Sequence, residues 1–284
     1  PSLAADAGRW PCPSAASCPA PLVVAGLYFA VTATVVDAFN NTVLVADGTV
    51  GATLAPGAPA GSELLGAIGE GLDVVNGAVE LQLRLTTAGL DYRADFTFLP
   101  LELTARSQAF SVAAAPLARL EVTDAALAAG VEAGVSIEPP PYVALLDAYD
   151  NAVLEALVVE AALLAAPGEL RNTTRITAAG GFAVFSALRI ERAGEFAMRF
   201  ISDGVVATTA PFTVAPAADP RGLVVQVERA PAGAAAGEAF TVQPVLRVRD
   251  RFGNTAAGFA GVATAASPGL AGALQATVAG GVAA

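Results

Sequence analysis

The chain has 284 residues, a formal net charge of −11, 28 glycines and 19 prolines, and neither histidine nor lysine, so all 15 basic residues are arginine. Without histidine there is no Ser-His-Asp or Cys-His nucleophile, no His-ligated metal and no imidazole proton shuttle, and two cysteines cannot make a four-sulfur zinc site. An acidic chain with dispersed arginines lacks the basic stripe that tracks a phosphate backbone, and its apolar runs fall short of the roughly 20 residues a membrane span needs.

Alanine, the commonest residue, favours helix, but glycine and proline interrupt the chain every few residues. Short runs that alternate with period two between these breakers predict strands. No methionine or signal-like segment opens the chain, which reads as an internal or processed piece. The first landmarks are Cys12 and Cys18, separated by Pro-Ser-Ala-Ala-Ser; in an oxidising compartment this spacing allows a short-loop disulfide. An apolar run from Val23 to Val36 leads into the turn Asp37-Ala38-Phe39-Asn40-Asn41, which contains an N-x-[ST] sequon at Asn40. Leu83-Arg84-Leu85-Thr86-Thr87-Ala88-Gly89 follows, then Tyr92, Phe96 and Phe110-Ser111-Val112.

The same landmarks return in the same order. A second turn, Asp147-Ala148-Tyr149-Asp150-Asn151, stands 110 residues after the first, and a third, Asp250-Arg251-Phe252-Gly253-Asn254, stands 103 residues after that. Ala133-Gly134 and Ala236-Gly237 each place their glycine 13 residues before the turn Asp. Leu188-Arg189-Ile190-Glu191-Arg192-Ala193-Gly194 matches the first heptad, with Phe196, Phe200 and Phe212-Thr213-Val214 behind it. A period of about 100 residues, made of short strands with turn signals every 8–12 residues, is the mark of an immunoglobulin-like β-sandwich. The fold class expected is all-β: tandem Ig-like sandwiches in a rod-like array. Repeat 1 takes residues 1–114 with an atypical Cys-containing start, repeat 2 takes 115–216, and repeat 3 takes 217–284. The links around Pro116 and Pro216 are short and proline-stiffened, which predicts semi-rigid spacers. Ala279 to Ala283 aligns with Ala179 to Ala183, so repeat 3 stops before the aromatic and closing strands. That predicts a parent protein continuing past Ala284.

The turn at Asp250 to Asn254, the strand Gly181-Phe182-Ala183-Val184-Phe185 and the strand Ala193-Gly194-Glu195-Phe196 resemble the invasin/intimin-type bacterial Ig-like repeats and, more loosely, filamin-type repeats. Similar tandem repeats occur in very large surface proteins of green algae, whose GC-rich composition the lysine-free chain resembles. The resemblance implies a non-enzymatic extracellular stalk that displays or connects adhesive parts. In an alga its place would be the cell wall or the flagellar (ciliary) surface. A binding module that recognises a glycan or protein through loops or strand edges is the alternative, and an intracellular filamin-like scaffold a third. Other copies or subunits of a surface assembly are the partners expected, with no nucleic acid, no cofactor and no catalytic residue among the 26 acidic side chains.

Each Asp-x-aromatic-x-Asn turn offers two or three oxygen-bearing side chains, against the roughly 6–8 oxygens Ca²⁺ takes. Its Asp and Asn are therefore expected to bond their own turn backbone, and Asp147, Asp150 and Asn151 are the calcium candidates. Arg247, Arg249 and Arg251 alternate and are expected on one solvated sheet face beside acidic neighbours. The aromatics Tyr92, Phe96, Phe185, Phe196 and Phe200 are expected in the core. The segment Ala156 to Ala166 is read as core by default, with Leu157, Val159, Leu163 and Leu164 as candidates for partial exposure toward a neighbour. Asn172, in Arg-Asn-Thr-Thr-Arg, is a second sequon on a polar stretch. Peptide mapping of chain recovered from an extracellular source, before and after glycosidase and without reductant, should give a linked Cys12–Cys18 peptide and mass shifts at Asn40 and Asn172.

Overall fold

The computed structural model describes residues 2–6, 22–66, 71–99, 101–123, 127, 130–164, 169–272 and 274–283. Cys12 and Cys18 lie outside the described residues. The fold is tandem immunoglobulin-like β-sandwich, and backbone packing divides it into two compact units. The first comprises residues 1–119 with 145–154; the second comprises 120–144 with 155–284.

In the first unit, Tyr28–Val36 pairs antiparallel with both Ser2–Asp6 and Ala78–Leu85, and Leu64–Gly66 closes that sheet on the far side of Ala78–Leu85. A second sheet runs Leu103–Arg106, Ala94–Leu99, Thr49–Leu54, Leu72–Asp73. A third joins Phe110–Ala113 to Leu22–Val24 in parallel and to Gly89–Tyr92 antiparallel. The period of two expected from the sequence is visible in burial. Leu81, Leu83 and Leu85 are buried while Glu80 and Gln82 face water, and Ala94, Phe96 and Phe98 are buried on the opposite sheet. These side chains, with Val31, Val35, Val50, Tyr92 and Phe110, form one continuous core.

The second unit repeats the plan. Val158–Leu163 pairs antiparallel with Arg175–Thr177 and Met198–Ser202, and Phe212–Ala215 pairs in parallel with Val131–Glu132 and antiparallel with Gly194–Phe196. Phe185, Phe196 and Phe200 are buried, as their spacing required, and so is Val159. Leu164 is 51% exposed just past the end of its strand. Alanine does not make helix of these segments because every side chain has to lie on a pleated sheet between breakers; tertiary pairing overrides local propensity.

In the last third of this unit, Val245–Arg249 is flanked by Val224–Arg229 and Val282–Ala283, and Gly261–Thr264 pairs with Gln275–Val278. The core of this part, among the described residues, consists of Val248, Ala256, Val278 and Ala283. Val225 lies across from buried Val248 but is 61% exposed itself, and Val227 is 57% exposed. Phe96→Ala removes a fully enclosed ring and should cost about 3–5 kcal/mol. Val225→Ala should stay within about 0.5 kcal/mol, since little is there to lose. Urea denaturation of the two variants, followed by tyrosine fluorescence and far-UV dichroism, checks the contrast.

Candidate functional site

The three sequence turns fold alike. The Asp37 carboxylate accepts the amides of Phe39 (2.8 Å) and Asn41 (2.9 Å) on Oδ1, and the Asn41 side chain donates to Oδ2 at 3.1 Å. Asp147 accepts Tyr149 and Asn151 in the same way, as Asp250 accepts Phe252 and Asn254. The fourth residue of each turn must take a positive φ. It is Asn40 at 66°, Asp150 at 65° and Gly253 at 84°, the three residue types that tolerate that region best. Each turn is thus pre-formed by its own side chains before it meets anything else.

In the first unit the second turn is seated on a loop 63 to 65 residues upstream. Asn151 donates from Nδ2 to the Thr86 carbonyl at 2.7 Å and accepts the Ala88 amide on Oδ1 at 2.8 Å. The second oxygen of the Asp147 carboxylate takes the Asn151 side chain and also accepts the amide of Ala115, in the link, each at 2.8 Å. The Tyr149 ring fills the space over Gly26, whose φ is 81°; a Cβ there would overlap the ring. Tyr92 holds the receiving loop from below: its hydroxyl donates to Thr87 O at 2.8 Å and meets Ser62 Oγ at 2.7 Å.

The second unit repeats the seating of the turn, with Phe196 in the place of Tyr92 and so without its hydroxyl bonds. Asn254 donates to Glu191 O (2.8 Å) and accepts from Ala193 N (2.8 Å), while Asp250 Oδ2 accepts the Ala217 amide at 2.8 Å. Phe252 lies over Gly134, whose φ is 79°, and the Arg251 guanidinium lies over the same ring, 4.7 Å from its centroid. Thr86 and Ala88 occupy the same places in their heptad as Glu191 and Ala193. Sequence comparison marks these heptads, and Gly134, as period anchors. It does not show that they receive a turn, because the receiving groups are backbone amides and carbonyls. Gly26 escapes it altogether, standing 11 rather than 13 residues before its Asp.

Seating changes the electrostatics. Asp147 and Asp250 are 1% and 3% exposed. Burial pushes both carboxyls up. The donors around them, Asn151 and Asn254 side chains first and the link amides of Ala115 and Ala217 next, outweigh burial and hold both below the usual range. The Asn41 amide and side chain likewise hold Asp37 low.

The remaining candidates fall out as follows. Asp147 and Asn151 have their oxygens committed to the contacts above, and Asp150 pairs with Arg119 at 2.7 Å. Among the described residues no group of three or more acidic or sulfur side chains is placed to hold a metal ion. Arg247 forms a two-pronged pair with Glu228 (2.7 and 2.9 Å), and Arg249 bonds Gln226 and the Gly253 carbonyl. Arg251 is not on their strand face: the strand ends at Arg249, and the turn carries Arg251 onto Phe252. Asn40 is exposed; Asn172, also exposed, donates its amide to Ala187 O at 2.7 Å. An open cleft of 1290 Å³ beside the seated Phe252 turn is lined by Arg171, Glu191, Arg192, Thr213 and Arg249.

Because the folded Asp147 and Asp250 titrate below their unfolded values, their contribution is complete above about pH 4 and is lost as pH falls through the depressed folded pKa. Acid should therefore release both turns before neutral-pH perturbations do. Asn254→Ala, which strands the Ala193 amide and the Glu191 carbonyl, should cost about 1–3 kcal/mol at pH 7. Urea titrations at pH 7 and pH 3 should show that penalty shrinking in acid.

No protein-family model matches the chain, and no curated protein matches it either. Among solved structures it is similar to FdeC, an Escherichia coli adhesin, at 20% identity and a TM-score of 0.49, over 91% of this chain and 76% of that one. It is similar to invasin, a bacterial integrin-binding protein, at 18% identity and a TM-score of 0.38, over 92% of this chain and 49% of that one. The D00–D0 segment of intimin gives 8% identity and a TM-score of 0.39, over 75% and 98%. The sandwich fold itself is read from the strand pairing described above, not from these likenesses.

Proposed function

We propose that this chain is a non-enzymatic spacer segment of a large extracellular or cell-surface glycoprotein. In this reading it sets distance and stiffness in a surface, wall or flagellar-surface assembly. The observation that carries the proposal is the repeated seating of a self-bonded turn: Asp147 with Asn151 and Asp250 with Asn254 meet equivalent backbone groups with equivalent distances. A chain that merely linked folded parts would have no need to tie its link amides, Ala115 and Ala217, to buried carboxylates. Tying them removes the freedom a short alanine-proline link would otherwise retain. Asn40 and Asn172 are the proposed glycan carriers; a glycan on Asn172 Nδ2 replaces one of its two hydrogens and leaves the other for the bond to Ala187 O.

The test is small-angle X-ray scattering of the wild-type chain against the Asn151→Ala, Asn254→Ala double variant. A spacer held by these turns should give a wild-type distance distribution that stays narrow across ionic strength, and one that broadens in the double variant while far-UV dichroism is unchanged. Identical distributions for the two proteins would sink the proposal.

A further inference from the structure

Among the described residues, two of the three turns are seated on a receiving loop and one is not. Phe39 is 85% exposed, whereas its counterpart Tyr149 is 40% exposed and Phe252 is less exposed still. Asp37 keeps partial contact with water, whereas Asp147 and Asp250 are buried. Yet the free turn has the geometry of the seated ones. Its amide bonds to Asp37 are 2.8 and 2.9 Å, against 2.8 and 2.9 Å at Asp147 and 2.9 and 2.9 Å at Asp250. It therefore needs no rearrangement to dock, and the ordering cost of docking is already met.

We infer that the Asp37–Asn41 turn is a docking site, and that its occupant is the receiving end of another Ig-like repeat of this kind. The structure specifies that occupant twice over. It must present a glycine at φ near 80° under the Phe39 ring, as Gly26 and Gly134 do. It must offer a carbonyl and, two residues on, an amide to the Asn41 side chain, as Thr86 with Ala88 and Glu191 with Ala193 do. A link amide completes the Asp37 carboxylate, as Ala115 and Ala217 do for theirs. The inference rests on the spacer reading and extends it: the first repeat, whose own receiving end already holds the Tyr149 turn, in turn docks on the receiving end of a further bead. Gly237, the third glycine of the set, has open space around its Cβ position, so it takes no turn here.

Strand register dictates the experiment. Ser2 lies opposite Val36, one residue before Asp37, and Val224 lies opposite Arg249, one residue before Asp250. Residues 120–223 joined directly to Ser2 of the full chain therefore place a complete receiving end in register ahead of the free turn. Phe39 remains unique in this fusion, so hydroxyl-radical footprinting reads it without ambiguity. Its oxidation rate should fall about twofold relative to the unfused chain, following the drop from 85% to 40% exposure. Gly134→Val in the added copy alone should restore the original rate, with Phe196 and Phe200 still protected to show that the copy is folded. An unchanged Phe39 rate in a fusion whose Phe196 and Phe200 are protected overturns the inference. Concentration-dependent protection of Phe39 in the unfused chain also overturns it, because the receiving ends of a second copy, at Gly26 and Gly134, are already filled and the contact would then use another face. In either case Tyr149 and Phe252 protection that responds to Asn151→Ala and Asn254→Ala leaves the spacer reading standing, so the two failures are distinguishable.

Discussion

A carboxylate removed from water has to be surrounded by donors, or it will either take up a proton or stay at the surface. Asp147 and Asp250 satisfy that demand with four bonds each: two amides of their own turn, the turn asparagine and one amide from the link upstream. Three donors are local and come with the turn sequence. The fourth has to be delivered by a chain segment more than thirty residues earlier. Burial of the aspartate and fixation of the link are thus one event. The asparagine, held by that same carboxylate, is aimed at the loop it grips, and the aromatic between them is left to cover a glycine.

Much of this was legible in the residues. The period of the repeat, the alternation of buried leucines, and the buried fate of Tyr92, Phe96, Phe185, Phe196 and Phe200 all follow from spacing, because a pleated strand enforces a period of two. So does the self-bonding of the turn, since Asp and Asn at its ends have few other ways to satisfy a tight loop. What was not legible is the receiving side. Thr86 O, Ala88 N, Glu191 O and Ala193 N leave no chemical signature in the side chains that carry them. Gly26 was hidden by a two-residue difference in spacing. Arg251 looks like part of an alternating strand until the turn begins at Asp250 and swings it onto Phe252.

The contrast between the copies has a single physical basis. Where both sheets are present the inner faces bury leucine and phenylalanine rings completely. Where the last copy presents Val224–Arg229 and Val245–Arg249 without a full opposing layer, valines of the same inner alternation stay wet. Arginine-acid pairs such as Arg247 with Glu228 then decorate the outer face without contributing much to stability.

The reliance on backbone groups at the receiving loop has an evolutionary side. Threonine and glutamate serve equally at one position of that loop because the turn is held by the backbone carbonyl there, so substitutions leave the grip on the turn intact as long as the glycine and the turn persist. Copies of such a bead can drift far apart, be duplicated or be exchanged by recombination, and still join the next one in line. A gene built this way can change length in whole-bead steps without redesigning a single joint.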